Sequence, residues 1–269
     1  MDLNEKRRKS VEVQKDKFPG EKNDDYIYGR NAVIEAIRSG RPIDKVLVTR
    51  GEHTGSIKTI ISLCRECGIP VKEIDKRRME SLVGASHQGV AAVTAQREYV
   101  TLDYLFEVSN QKGEPPFFVV CDKIEDPHNL GAIIRTADAA GAHGVIIPKR
   151  HSAGLTSTVF KASAGAAEYV PVARVTNIAE TLRELKKRGV WVYGLDMDGE
   201  PWCTVDLRGA SAFVVGSEGQ GIGRLVREEC DFILSLPMLG KVSSLNASVA
   251  GGIVLYEVVR QRKGLANRG

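Results

Sequence analysis

Three short stretches of the 269-residue chain concentrate side chains able to do chemistry. The first, DPHNLGAIIR at 126–135, sets Asn129 six positions before Arg135, a permanent cation amid small and apolar residues. The second, VVGSEGQGIGR at 214–224, holds Glu218 in a glycine-rich turn. The third, LPMLGKVSSLNASVA at 236–250, brings Ser243, Ser244 and Asn246 to the start of a run of small residues. Polar and charged side chains at strand-to-helix junctions, beside glycines that let backbone approach closely, could hold a ligand. Each stretch also has a plainer reading. A buried arginine is costly without a partner, and an internal Arg135–Glu218 pair that merely ties two loops together would meet that need. Serine and asparagine ahead of a helix serve as N-caps. A glycine-rich turn is by itself a tight turn.

Other chemistries find no support. No G-x-G-x-x-G passes through glycines 216, 219, 221 and 223, and no G-x-x-x-x-G-K-[ST] occurs, which removes the usual nucleotide cradles. Cys64 and Cys67 form a CxxC, but at the end of a helical pattern before Gly68 and Pro70, where no dipole stabilises a thiolate. No second CxxC completes a zinc site, so both cysteines are expected to pack, and no metal is expected. Five scattered cysteines, an odd number, suit a reducing cytoplasm. No run approaches the roughly 20 apolar residues of a membrane span. The start of the chain lacks the apolar core of a secretory signal. A net charge of +4 permits a nucleic-acid partner without requiring one.

The elements that must position these residues alternate. Residues 1–24 are charged and aperiodic and are expected to be a disordered tail, with a basic clump at 6–9. From 25 to 96, strands such as KVLVTR and GVAAVTA alternate with helical patterns, a compact α/β unit with a partly basic surface. Residues 97–115, ending in Gly113, Pro115 and Pro116 beyond, read as a linker. From 116 to 269 a second alternation predicts a mostly parallel α/β sheet, with a helix spanning 156–167 and a last helix at 246–263. Such sheets hold ligands at the carboxyl ends of their strands, where the three stretches lie. The last helix carries Val254, Leu255, Val258 and Val259, more apolar surface than one core-facing stripe needs.

Taken together, DPHNLGAIIRTADAAGAHGVII, VVGSEGQGI and LPMLGKVSSLNASVAGGIVLYE resemble the three motifs of the SPOUT superfamily, in particular its TrmH-type RNA ribose 2'-O-methyltransferases. The match spans 117–263. Upstream, YGRNAVIEAI and HQGVAA resemble the accessory RNA-binding domain of that family, which is similar to ribosomal protein L30e. The order of the two parts resembles the bacterial enzymes that methylate a guanosine ribose of 23S ribosomal RNA. The resemblance implies a deep trefoil knot, S-adenosyl-L-methionine as methyl donor, an RNA substrate and a homodimer, which the last helix would help to build. It implies Asn129, Arg135, Glu218, Ser244 and Asn246 as catalytic positions. It implies Gly216, Leu236 and Leu245, with Leu195 as a further candidate, as cofactor contacts. Arg135 is either a literal base or, since guanidinium has a pKa above about 12, an electrostatic activator of the ribose hydroxyl. Transfer RNA and a ribosomal adenosine remain alternative substrates. A non-catalytic RNA-binding protein is the alternative from another class. A nicotinamide-dependent oxidoreductase lacks its fingerprint.

Overall fold

The computed structural model describes residues 26–51, 55–95, 97–242 and 244–265. The tail at 1–24, its basic clump and Ser243 lie outside them. Among the described residues no helix is long and apolar enough to cross a membrane.

The first unit runs β1 (Tyr26–Tyr28), α1 (Arg30–Arg38), β2 (Ile43–Thr49), α2 (Ser56–Glu66), β3 (Val71–Ile74), α3 (Lys76–Val83) and β4 (Val90–Thr94). Its sheet has the order β1-β4-β2-β3, antiparallel except for β2 with β3. The period of two along β2 divides the core. Val46 and Val48 join α1 and α2 on one face, while Leu47 joins Met79 of α3 on the other. β1 does not show in the sequence, since three residues are too few to reveal a period.

The second unit runs α4 (Leu102–Lys112), β5 (Phe117–Cys121), α5 (Pro127–Ala139), β6 (Gly144–Pro148), α6 (Ser157–Ala162), β7 (Val172–Val175), α7 (Ile178–Lys187), β8 (Trp191–Pro201), β9 (Ser211–Val215), α8 (Arg224–Glu228), β10 (Phe232–Ser235) and α9 (Ala247–Arg262). All its strand pairings are parallel, in the order β10-β8-β9-β5-β6-β7. Every residue of β5, β6 and β9 is buried, as in a parallel sheet covered on both faces. From β5 the chain moves to β6 and β7 on one side, then returns to build β8 and β9 on the other. The direction therefore reverses between β5 and β9, and a crevice opens beyond their carboxyl ends.

Three expectations need correction. The stretch 97–115 is no free connection, because Leu105 and Phe106 of α4 are buried in the core beneath the sheet. The helix expected over 156–167 stops at Ala162. Ala164 and Gly165 take positive φ values of 52° and 93°, and a side chain on Gly165 would meet Glu35 of α1 at 2.5 Å. Val258, expected at a dimer surface, is fully buried within the chain.

That turn is where the two units join. Glu168 is buried between Arg41 of the first unit (2.9 Å) and Arg97 (3.1 Å). Arg41 also donates to the Ala95 carbonyl (2.6 Å) and covers the Phe160 ring. Lys161 donates to the Ser86 carbonyl at 2.7 Å, and Tyr169 donates to the Glu35 carboxylate at 2.6 Å.

Candidate active site

The first loop is built to present Asn129. Asp126 caps α5 by accepting the His128 N–H at 3.0 Å, and Pro127 supplies the fixed φ of a first helical position. Asn129 follows in the first turn. The second loop folds back on itself, with paired Ser217–Gly221 backbone hydrogen bonds of 2.9 and 3.1 Å. A side chain on Gly216 would collide with the backbone of Gly221 and Ile222, so this glycine serves the loop's own closure. Buried Asp122, one residue past β5, accepts the Gly223 N–H at 2.7 Å and ties the loop's far end to the neighbouring strand. Glu218 is carried at the exposed tip.

The third loop delivers Asn246 as the cap of α9. Its Oδ1 accepts from Ser248 N (3.0 Å), Val249 N (3.3 Å) and Ser248 Oγ (2.6 Å). That fixes the amide so that Nδ2 points outward, donating to Asn129 Oδ1 at 2.9 Å and to Glu218 Oε1. Asn129 Nδ2 donates to the same Glu218 oxygen at 2.9 Å. Residues 89 and 117 positions from Asn129 thus meet it in one closed triangle across the crevice. Glu218 Oε2 has no hydrogen bond among the described residues.

Arg135 does not join them. It is exposed, with no hydrogen bond or ion pair among the described residues, so the plainer reading of an internal Arg135–Glu218 pair does not hold there. At 100° per residue, six steps leave it about 120° round α5 from Asn129 and about 9 Å along the axis. Leu130, Ile133, Ile134 and Ala137 take the buried face, while His128 and Arg135, seven apart, share the outward one. Ser244 is also exposed and unbonded among the described residues.

Of the apolar candidates, Leu195 and Leu236 are half-buried against the main core and Leu245 is exposed. Leu239 and Val242 of the third loop are 97% and 70% exposed, apolar surface that a solvent-facing loop does not require. Asp122, and Asp196, which pairs with Arg227 at 2.5 Å beside the second loop, are not among the residues that the sequence singles out. The visible signal for both was an acid at the carboxyl end of an apolar strand. A cleft of about 380 Å³ lined by Tyr104, Lys112, Asp138 and His143 lies at the opposite, amino end of the strands.

The SpoU rRNA Methylase family matches residues 116–256, and a family described as RNA 2'-O ribose methyltransferase substrate binding matches residues 26–100. A Bacillus subtilis protein named for the TrmH family of tRNA/rRNA methyltransferases is 50% identical over 239 residues, 88% of this chain and 96% of its own. The SpoU methyltransferase AviRb of Streptomyces viridochromogenes, solved with AdoMet, superposes with a TM-score of 0.73 at 27% identity, covering 89% of this chain and 90% of its own. An AdoMet-bound rRNA methyltransferase of Sinorhizobium meliloti gives a TM-score of 0.70 at 26% identity, covering 90% of this chain and 88% of its own.

Proposed function

Because the chain belongs to the SpoU (TrmH-type) family of RNA 2'-O-ribose methyltransferases, we propose that it transfers a methyl group from S-adenosylmethionine to the ribose 2'-hydroxyl of a guanosine in 23S ribosomal RNA. The observation that carries this reading is the Asn129–Glu218–Asn246 triangle, which gathers all three motif loops at the reversal point of a parallel sheet. Ribosomal RNA is favoured because the likeness to the S. meliloti rRNA methyltransferase runs through both units. Guanosine is the base that the motif resemblance implies.

When bound, S-adenosylmethionine supplies a methyl group on a cationic sulfur. The residues present suit such a ligand. Leu195, Leu236 and Leu245 would hold the adenine by apolar contact, and Gly216 would act by shaping the loop that frames it. The acceptor hydroxyl is a poor nucleophile at neutral pH and needs orientation and charge relief. The free Oε2 of Glu218 would accept its hydrogen bond, while the two amides keep the carboxylate in place. Ser244 would contact the acceptor nucleotide. Arg135, with its guanidinium uncommitted, would act electrostatically, by binding the developing alkoxide or an adjacent phosphate.

The reading extends to a homodimer. Val249, Ile253 and Tyr256, at helical spacing on α9, are 50%, 38% and 52% exposed. They flank α5, since a side chain on Gly252 would touch Thr136, the neighbour of Arg135. A second copy covering this stripe would also cover Arg135. Threading of the third loop and α9 in a trefoil knot belongs to the same reading; it would hold Asn246 against Asn129.

The test is transfer of labelled methyl from S-adenosylmethionine to transcribed 23S ribosomal RNA and, in parallel, to transfer RNA, with nucleoside mass spectrometry. The expected product is 2'-O-methylguanosine from the ribosomal transcript. Label confined to transfer RNA, or found on a base, would refute it.

A further inference from the structure

The arginines of the second unit fall into two groups. Among the described residues between 97 and 262, every arginine but two pairs with a carboxylate or donates to a backbone carbonyl. The two are Arg135 and Arg150. An engaged arginine must break its bonds before it can take a ligand, whereas an unengaged fork is ready for a planar, bidentate grip on phosphate.

Arg150 sits on the loop that follows β6. Because β5 and β6 are parallel neighbours, with Val120 opposite Ile146, this loop emerges at the same end as the loop of Asn129. The two loops are tied together. Ala153 N donates to the Ile124 carbonyl at 2.8 Å, and His151 Nδ1 lies 3.3 Å from Glu125 Oε1. The loop's other end is fixed by Lys149 N, which donates to the Val175 carbonyl at 2.8 Å. His151 has a φ of +56°, a bend few side chains adopt. The result is a pinned turn that holds two exposed cationic side chains, Lys149 and Arg150, toward solvent. No acidic residue occurs between Lys149 and Ala167.

We propose that Arg150, with Lys149, grips a backbone phosphate of the RNA strand beside the methylated ribose. The inference rests on the RNA reading above and adds a positioning contact from a strand end outside the three motif loops. Such a contact fixes register and carries no base preference.

The test uses the full-length protein, labelled S-adenosylmethionine and transcribed 23S ribosomal RNA. Arg150→Gln should raise the KM for RNA about tenfold. It should leave kcat at saturating RNA, cofactor affinity and the melting temperature unchanged. The slope of log affinity against log salt should flatten by about 0.7 to 0.9, the share of one phosphate contact. Arg150→Lys should restore the slope, because the charge alone releases the counterion. Arg208→Gln is the control, removing an equal charge from an exposed arginine already paired with Asp206 at 2.8 Å. A wild-type KM and slope in Arg150→Gln would overturn the proposal, as would an equal loss in Arg208→Gln. If the wild type transferred no methyl to any RNA, the enzymatic reading would fail instead, and salt-dependent binding of the same transcript would still decide on Arg150.

Discussion

Asn246 does two jobs with two ends of one amide, and a change of a single group separates them. Asn246→Asp keeps the oxygen that caps α9, so the melting temperature should stay within about 3 °C of wild type. It loses the donor to Asn129 and sets a second carboxylate against Glu218. Turnover should fall by about 100-fold or more, since removing one placed donor from a reaction site costs that much. Single-turnover rates and thermal melts check both halves. Arg135→Ala should abolish turnover while cofactor affinity, read by calorimetry, holds, and stability should change by less than about 0.5 kcal/mol because the side chain is exposed and unpaired among the described residues. Near-normal turnover would remove Arg135 from the chemistry. Asn129, Glu218 and Asn246 were legible in the sequence because each is polar at a strand-to-helix junction, where burial has no use for it. Arg135's surroundings differ from the sequence expectation. Ile133 and Ile134 beside it suggested burial, yet neighbours in a helix point 100° apart, and only the fold says which direction is covered.

At the scale of elements, α5 is held where it is by close packing. A side chain on Gly131 would lie 2.5 Å from Ala162 Cβ and 3.0 Å from the Ser163 N of α6's end. Gly131→Ala would gain about 1 kcal/mol of helix propensity, but overpacking costs about 1–3 kcal/mol and the obstacle includes backbone. With backbone in the way the cost sits at about 2–3 kcal/mol, so the expected net is a loss of about 1–2 kcal/mol in urea unfolding, with lower turnover because α5 carries Asn129. An unchanged midpoint would mean that α6 gives way freely. A buried histidine links β5 to β6. His143 Nδ1 accepts the Phe117 N–H and its Nε2 meets Glu114, both at 3.1 Å. Burial, outweighing the Glu114 hydrogen bond, pushes its pKa below the ordinary value of about 6.5. The unfolded chain therefore takes up the proton first. His143 contributes full stability above about pH 6.5 and loses it as pH falls toward the lowered native value. Wild type should weaken between pH 7 and 5 more than His143→Gln does; equal slopes would clear His143 of the effect. The strands of the sheet were legible because buried parallel strands read as continuous apolar runs. α4 was not, because the glycine and prolines that end it look like a linker from outside.

For the molecule as a whole, the order of the two units was legible and their junction was not, because the partners in an ion pair 127 residues apart leave no local pattern. The proposed dimer surface is similarly displaced. The apolar excess of the last helix is real, but it lies at Val249, Ile253 and Tyr256 and not at Val258. Ile253→Glu should therefore give a folded, monomeric and weakly active protein in sedimentation equilibrium. Val258→Glu should unfold the chain, since it buries an unpaired charge. A wild type that stays monomeric at micromolar concentration would rule the dimer out. The Arg41–Glu168–Arg97 junction has one more consequence. Glu168 is fully buried, and parting the units would strip it of Arg41 and leave Arg97 as its one ion-pair partner among the described residues, a loss that holds the first unit at a set distance from the Asn129–Glu218–Asn246 crevice. A protein so braced is a ruler. It would choose its nucleotide by how far that nucleotide lies from the feature the first unit holds, and one base inserted between the two would move the mark.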